Sequence, residues 1–456
     1  MKKYSFYILI FAAVTGSFSC KKYLEEKSNK KLVVVSKLED LQALLDDAVT
    51  MNNLTTPSYM EGTADDYFLP PAAYSSNVTA YQQLYRWERY PYRYSNDWNK
   101  AYLAIYNTNV CLEMIDDINQ TSLNSGSWNN VKGSALFYRS FYYLLLVWQH
   151  AKAYQSSSST TDLGIVLRTG SDFNVPSLRA NVEQSYQQIL SDTKTAAMIL
   201  PATPQHTLRP SKAAAYGLLA RTYLSMRMTD SAYKYANLCL GIKSTLMNYN
   251  SDPDVNSMTS ATPFKKYNKE TIFYTEMFQG FGLHATYQAR IDSNLYQSYA
   301  PDDLRKTGFF KATNPYQQFK GSYAANANNL FTGIATDEMY LTRAECLARL
   351  DRVDEAMQDL NTLLKMRWKS SVIYSPITAT DSGDALNKIL IERRKELLMR
   401  GLRWIDIKRL NLEGRNITLT RMVDGAAITL KSNDPFYALP LPEDIVELTG
   451  IPQNPK

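Results

Sequence analysis

Two stretches of this chain share a spacing that few structures satisfy. Within 211–242, Tyr216, Ala220 and Ala232 stand at relative positions 0, 4 and 16, and within 337–366, Tyr340, Ala344 and Ala356 stand at the same offsets. An offset of 4 places two residues on one helix face. The second alanine falls past a short turn (MTD in one copy, DR in the other), on a second helix whose backbone can then approach closely. The spacing predicts two antiparallel helical hairpins. The copies begin 124 residues apart, so long insertions interrupt whatever repeats.

Most of the remaining chain also reads as helix. Apolar residues recur at helical spacing over 33–49, with Ser36 as N-cap, and over 98–118, 182–200, 353–366 and 385–400. The run 131–148 is apolar nearly all round and predicts a buried helix. Between these lie 55–96 and 251–336, rich in Pro, Tyr, Asn and Ser, with one strand-like run at 271–278. Ordered loops of that length tend to carry function. Near the C-terminus, Asp424-Gly425 between β-branched runs predicts a tight β-hairpin. The expected fold is mainly α: a scaffold of tetratricopeptide-like hairpins with loop-rich inserts at about 55–97 and 251–336, and a small C-terminal β-hairpin.

The N-terminus has the layout of a secretory leader. Lys2 and Lys3 precede an apolar run, and Gly16, Ser17 and Ser19 precede Cys20. The run is too short to span a bilayer. A cysteine at this point resembles a bacterial lipoprotein signal, with 1–19 removed, Cys20 acylated, 20–36 a lipidated tether and 37–456 the folded domain. Loss of Lys2 and Lys3 takes the formal charge from +6 to +4, too small and too dispersed to predict nucleic-acid binding. The basic runs Lys30-Lys31 and Arg393-Arg394-Lys395 read as solvated faces. Cys111, Cys239 and Cys346 then remain, each in an apolar helical context, and read as buried free thiols.

Catalytic patterns are missing from the sequence. The three histidines have no metal-ligand spacing to one another or to cysteine, so neither a zinc or iron site nor a cofactor is expected. No nucleophile elbow or phosphate loop occurs. The pairs Asp65-Asp66 and Asp302-Asp303 could be glycosidase carboxylates, but read better as turn or surface acids.

Aromatic residues carry more information, with 33 Tyr against 16 Phe. Tyrosine offers an apolar face and a polar tip, which suits half-exposed recognition surfaces. One cluster comprises Tyr81, Tyr85, Trp87, Tyr90, Tyr92, Tyr94 and Trp98, and a second Phe278, Phe281, Tyr287, Tyr296 and Tyr299. Among them Tyr81, Trp87, Tyr92, Tyr94, Trp98, Phe281, Tyr287 and Tyr296 are the candidate ligand-binding rings, with Cys20 as the lipidation site; a part of the clusters is expected to pack the long loops instead.

Glu392-Arg-Arg-Lys-Glu-Leu-Leu398, followed by Gly401-Leu-Arg-Trp-Ile-Asp-Ile-Lys-Arg409, resembles a signature of the SusD/RagB family. Tyr437-Ala-Leu-Pro-Leu-Pro-Glu-Asp-Ile445 with Gln453-Asn-Pro455 is similar to that family's ending, and Phe137-Tyr-Arg-Ser-Phe-Tyr-Tyr143 and Trp98-Asn-Lys-Ala-Tyr102 to two of its helices. Read as chemistry, the signature is structural. Gly401 can take a left-handed cap, Glu396–Arg400 and Asp406–Arg409 can pair along their helices, and Trp404 can fill the corner between them.

The resemblance implies a non-enzymatic, surface-exposed outer-membrane lipoprotein. Such a protein captures a nutrient, most often an oligosaccharide, and caps a SusC-like TonB-dependent transporter. On that expectation Trp98→Ala abolishes oligosaccharide retention without unfolding the chain. Two alternatives stay open: the same scaffold binding peptides or another non-sugar nutrient, and a secreted glycoside hydrolase.

Overall fold

The computed structural model describes residues 37–89, 93–280 and 282–455. The leader, Cys20, Lys30-Lys31, Ser36, Tyr92 and Phe281 lie outside the described residues.

The scaffold helices are labelled here in chain order: α1 (Asp97–Ile115), α2 (Ser125–His150), α3 (Val182–Ile199), α4 (Lys212–Ser225), α5 (Thr229–Ile242), α6 (Thr336–Arg349), α7 (Val353–Arg367), α8 (Ser382–Glu396) and α9 (Arg403–Asn411). Each of α1 to α5 packs on its successor. α6 packs on α5, α7 and α8, so the two predicted hairpins, α4–α5 and α6–α7, lie side by side despite the insert between them. All four repeat alanines are fully buried. Both hairpins turn the same way. Arg227 and Asp351, each 11 residues after the repeat tyrosine, take positive φ (61° and 58°). The next N–H, of Met228 and of Arg352, donates back to Tyr223 and Leu347, both at 2.9 Å. This closes the left-handed end of a helix and starts the next.

Polar side chains cap the scaffold helices. Asn96 and Asn99 form a reciprocal box at the start of α1, Asn181 and Gln184 do so on α3, and Ser211 caps α4. Helix α1 begins at Asp97, and the expected 33–49 helix resolves into Leu38–Leu45 and Ala48–Met51. α2 is buried from Val131 onward except Lys132. The C-terminal strands Leu419–Val423 and Ala426–Leu430 pair in register about Asp424 and Gly425, both with positive φ as a type I′ turn requires.

The second insert carries its own core, which includes Tyr249, Phe264, Tyr274, Phe309, Tyr323 and Phe331. Ion pairs weld it to the scaffold. Arg305 binds Asp303, Glu392 and Glu396, while Arg367 binds Glu270 and Glu396, all buried. This corrects two local expectations. Glu396 does not pair with Arg400, which instead meets Asp337 at 2.7 Å. Arg393 and Lys395 are buried and paired, to Asp406 at 2.8 Å and Glu392 at 2.6 Å, and are not a solvated face. Asp406 also takes its expected partner, Arg409. Gly401 has φ +73°, and Trp404 is buried against Tyr437.

Candidate functional site

The two inserts meet at the N-terminal end of α1. Asp97 is fully buried there and accepts the N–H groups of Ser58 and Tyr59, both at 2.7 Å, and the Ser58 hydroxyl at 3.0 Å. It thereby bolts the short helix Tyr59–Thr63 to the scaffold. Burial still pushes its carboxyl up to about 7, against those donors. Further along, the first insert pairs with the second as two short antiparallel strands, with Tyr67 opposite Ile291 and Phe68 opposite Arg290. Phe278 N–H donates to Thr56 at 2.8 Å, and Asn77 donates to Gln288 at 2.9 Å.

Three rings converge along this seam. Tyr81, on the helix Thr79–Tyr85, is half-buried and donates its hydroxyl to the Gly280 carbonyl. Phe278 is half-buried and lies against Gly280 so closely that a Cβ there would sit 2.1 Å from the ring and would have to displace it. Tyr287 is 70% exposed, with its hydroxyl over Gly282. Lys100, from the first turns of α1, stands 5.6 Å from the Phe278 ring centroid. Gln279 lies alongside and donates to Asn329 at 2.9 Å. One exposed tyrosine ring beside two half-buried rings, an amide and an amine can stack on the C–H face of a polar ring and hydrogen-bond its hydroxyls. The sequence marked Tyr81, Phe278 and Tyr287 as aromatic, but gave no sign that Lys100 and Gln279 would join them.

The other candidate rings are placed differently. Trp98 is only 5% exposed, packed at a tilt against Tyr102 with centroids 4.6 Å apart and edge-to-face with His150 at 5.3 Å. Trp87 is buried and donates its indole N–H to Thr63. With Tyr67 and Tyr85 it surrounds the guanidinium of Arg421 from the C-terminal hairpin. Neither tryptophan offers a face to solvent, because the first insert needs a core of its own. Tyr296 is half-buried against Phe310, with Lys306 over its ring. Tyr94 is exposed but stands beside the helix Glu443–Thr449, its N–H on Asp444.

Carboxylates that might have served catalysis are engaged. Asp65 meets Arg403 at 2.7 Å and Asp66 meets Arg394 at 2.9 Å, so the half-buried Asp65 and the buried Asp66 both fasten the first insert and are not free surface acids. Asp303 is likewise buried against Arg305. Oxygens of Glu270, Asp337 and Glu396 lie within 4.8 Å of one another, a spacing a cation could use. Arg305, Arg367 and Arg400 already engage its three carboxylates. A cavity of about 560 Å³ opens elsewhere, between Gln155–Asp162, α9 and the C-terminal residues. Lys408 on its wall is committed to the Trp148 and Ala151 carbonyls, at 2.7 and 2.6 Å, and burial pushes its amine down to about 7.

Comparison with known proteins agrees with this architecture. Residues 22–224 match a SusD-like family described as starch-binding and associating with the outer membrane, and residues 241–444 match the SusD family proper. The SusD-like protein P2 of Formosa agariphila is 24% identical over 414 residues, 78% of this chain and 79% of that protein. A SusD superfamily protein from Bacteroides thetaiotaomicron superposes with a TM-score of 0.73 at 21% identity, covering 92% of this chain and all of that one. A putative sugar binding protein from Bacteroides vulgatus gives 0.74 at 19% identity, over 93% and 99%. The matched segments follow one another along most of the sequence, and the solved folds cover nearly all of it: the chain belongs to the SusD/RagB family.

Proposed function

We propose that this protein is a lipid-anchored receptor of the outer-membrane surface that captures an oligosaccharide on the seam between its inserts and hands it to a SusC-like TonB-dependent transporter. The observation that carries the ligand class is the convergence of Tyr81, Phe278 and Tyr287, with Gln279 and Lys100 beside them. Ring faces with neutral amides favour a sugar over a peptide, whose termini and side chains call for charged partners. The family description, starch-binding and associating with the outer membrane, supports the nutrient-binding role and its location. Engagement of Asp65, Asp66 and Asp303 by arginines speaks against a hydrolase, so the reading contains no chemical step.

Affinity electrophoresis in polysaccharide gels tests it. Tyr287→Ala is expected to weaken retention about tenfold, in line with the roughly 1–1.5 kcal/mol of an aromatic stacking contact. Tyr94→Ala is expected to leave retention unchanged. Equal retention of wild type and Tyr287→Ala on every glycan that binds would remove the seam as the site. For delivery, Cys20→Ser is expected to abolish uptake of the retained glycan by cells.

A further inference from the structure

The rings of the seam stand among cations that the fold leaves without acids. Lys100 lies 5.6 Å from the Phe278 ring centroid on one side. On the other, Arg290 and Lys311 flank Tyr287. The Arg290 guanidinium donates to the Ala289 and Tyr287 carbonyls, at 2.9 and 3.4 Å. Tyr67 and Ile291 are buried where the two inserts pair, so Phe68 and Arg290, the adjoining pair, point outward. Phe68 in turn meets Tyr316 edge-on, with centroids 5.0 Å apart.

Lys311 joins this surface by register. The strands Phe310–Thr313 and Tyr316–Phe319 set it directly opposite Gln318, on one face of their hairpin. The Gln318 amide donates to the carbonyl of Thr286, the residue before Tyr287, so that face lies toward the seam. Lys311 itself is exposed.

Among the described residues, none of these three cations forms an ion pair with a carboxylate. The nearby acids are engaged elsewhere. Asp97 holds the Ser58 and Tyr59 N–H groups, and Asp292 caps the helix Ser293–Gln297 by accepting the Leu295 N–H at 2.8 Å. Glu276 is paired with Lys266 at 2.8 Å and Asp303 with Arg305 at 2.7 Å. Residues 304–336 carry Arg305, Lys306, Lys311 and Lys320 and no Asp or Glu. The imbalance reaches into the hairpin: burial, and then the charge of Lys311, push the Lys320 amine below its ordinary value. One unpaired lysine on a surface means little, since water solvates it. Three cations around one set of rings, beside a segment without acids, make a positive potential that draws anions.

We propose that the ligand of the seam is an acidic polysaccharide, whose sugar faces stack at Tyr287 while their carboxylate or sulfate groups pair with Lys100, Arg290 and Lys311. The proposal rests on the reading of the seam as an oligosaccharide site. A neutral chain would use the rings and amides alone and leave all three cations to water. An anionic chain gains charge-assisted hydrogen bonds, about twice as strong as neutral ones. Rings set among the cations favour sugar units over an acidic peptide, which calls for charge alone.

The test measures retention of the full chain, in detergent, on beads bearing polygalacturonate, alginate or carrageenan, with amylopectin, laminarin and xylan as neutral chains. At least one acidic polymer is expected to bind more tightly than every neutral one, and the uronate and sulfate polymers tell which anion is read. That retention should fall as salt rises from about 0.1 to about 1 M and the screening length shrinks from about 10 to about 3 Å. Lys100→Gln, Arg290→Gln and Lys311→Gln should each weaken it about threefold, as loss of an exposed ion pair does, and the triple variant about thirtyfold. Lys365→Gln, exposed on α7, removes one charge away from the seam and should match wild type. A neutral glycan held as tightly as any acidic one, by wild type and triple variant alike but less by Tyr287→Ala, would overturn the acidic ligand and leave the seam standing. Acidic retention weakened as much by Lys365→Gln as by the seam variants would mark simple ion exchange and overturn it too. Poly-L-glutamate held as tightly as the best acidic polysaccharide would assign the cations to an acidic peptide instead. No retention on any polymer would remove the oligosaccharide reading, and this one with it.

Discussion

The guanidinium of Arg421 stands 4.1 Å from the ring centroid of Tyr85 while donating to that residue's own carbonyl at 2.6 Å. Its second nitrogen reaches the Gly62 and Ala64 carbonyls at 3.1 and 2.7 Å. A strand residue at an inward position of the C-terminal hairpin is therefore the central post of the first insert, 336 residues earlier in the chain.

Replacing that post should loosen the insert. Arg421→Met leaves the Tyr85 and Ala64 carbonyls without a donor, the Gly62 carbonyl keeping the Tyr67 hydroxyl, and is expected to lower stability by about 3 kcal/mol. Arg421→Lys should recover only part of it, since one ammonium cannot span the three. Urea denaturation followed by tyrosine and tryptophan fluorescence measures both. An unchanged midpoint in Arg421→Met would show that the hairpin docks by its apolar residues alone.

Trp98 now carries the opposite expectation from the one its sequence context suggested. Packed between Tyr102 and His150, its loss opens a cavity at the base of the seam. Trp98→Ala should cost about 3–5 kcal/mol of stability. Any fall in glycan retention should track the unfolded fraction. A variant with wild-type thermal stability and no retention would restore Trp98 as a ligand contact.

Glu61 makes stability depend on pH. It is buried in the first insert and accepts the Gly401 N–H at 2.9 Å. Burial, and then the negative charge of Asp66, push its carboxyl up to about 8. The folded state thus holds this proton more tightly than the unfolded chain, whose ordinary value is near 4.5. The corresponding stability is complete below about 4.5 and is lost as pH rises toward 8. Glu61→Gln, neutral throughout, should match wild type at pH 4 and exceed it increasingly up to pH 8. Parallel pH profiles for the two would show that Glu61 is ionised in the folded protein.

Thiol chemistry gives a simple check on packing. Cys111, Cys239 and Cys346 are buried, and burial pushes each thiol up to about 12. None should react with an aromatic disulfide reagent at pH 8 in the native state, and all three should react in guanidinium chloride. Rapid modification of Cys111 alone would indicate that the helix Leu38–Leu45 detaches from α1.

What the sequence disclosed was local chemistry. The hairpin alanines, the Asp424-Gly425 turn and the freedom of Gly401 each act within a few residues of themselves, so spacing alone exposes them. The partners of Glu396, Arg393 and Asp65 lie from 13 to 338 residues away, and no helical offset encodes them. Aromatic content had the same limit. Tyr287 and Trp98 look alike as letters, and only the folded inserts decide which ring faces water and which faces His150.

The pairing of Tyr67 with Ile291 has a consequence for how such a receptor can change its diet. A two-stranded seam has no slack: a slip of one residue in either insert would turn Phe68 and Arg290 to opposite faces. Neither insert can be lengthened, shortened or exchanged near the seam without its counterpart. New ligands must then be won by replacing single rings at positions such as 81, 278 and 287. Lineages that feed on different polymers are thereby predicted to differ at those positions while keeping the stitched backbone beneath them.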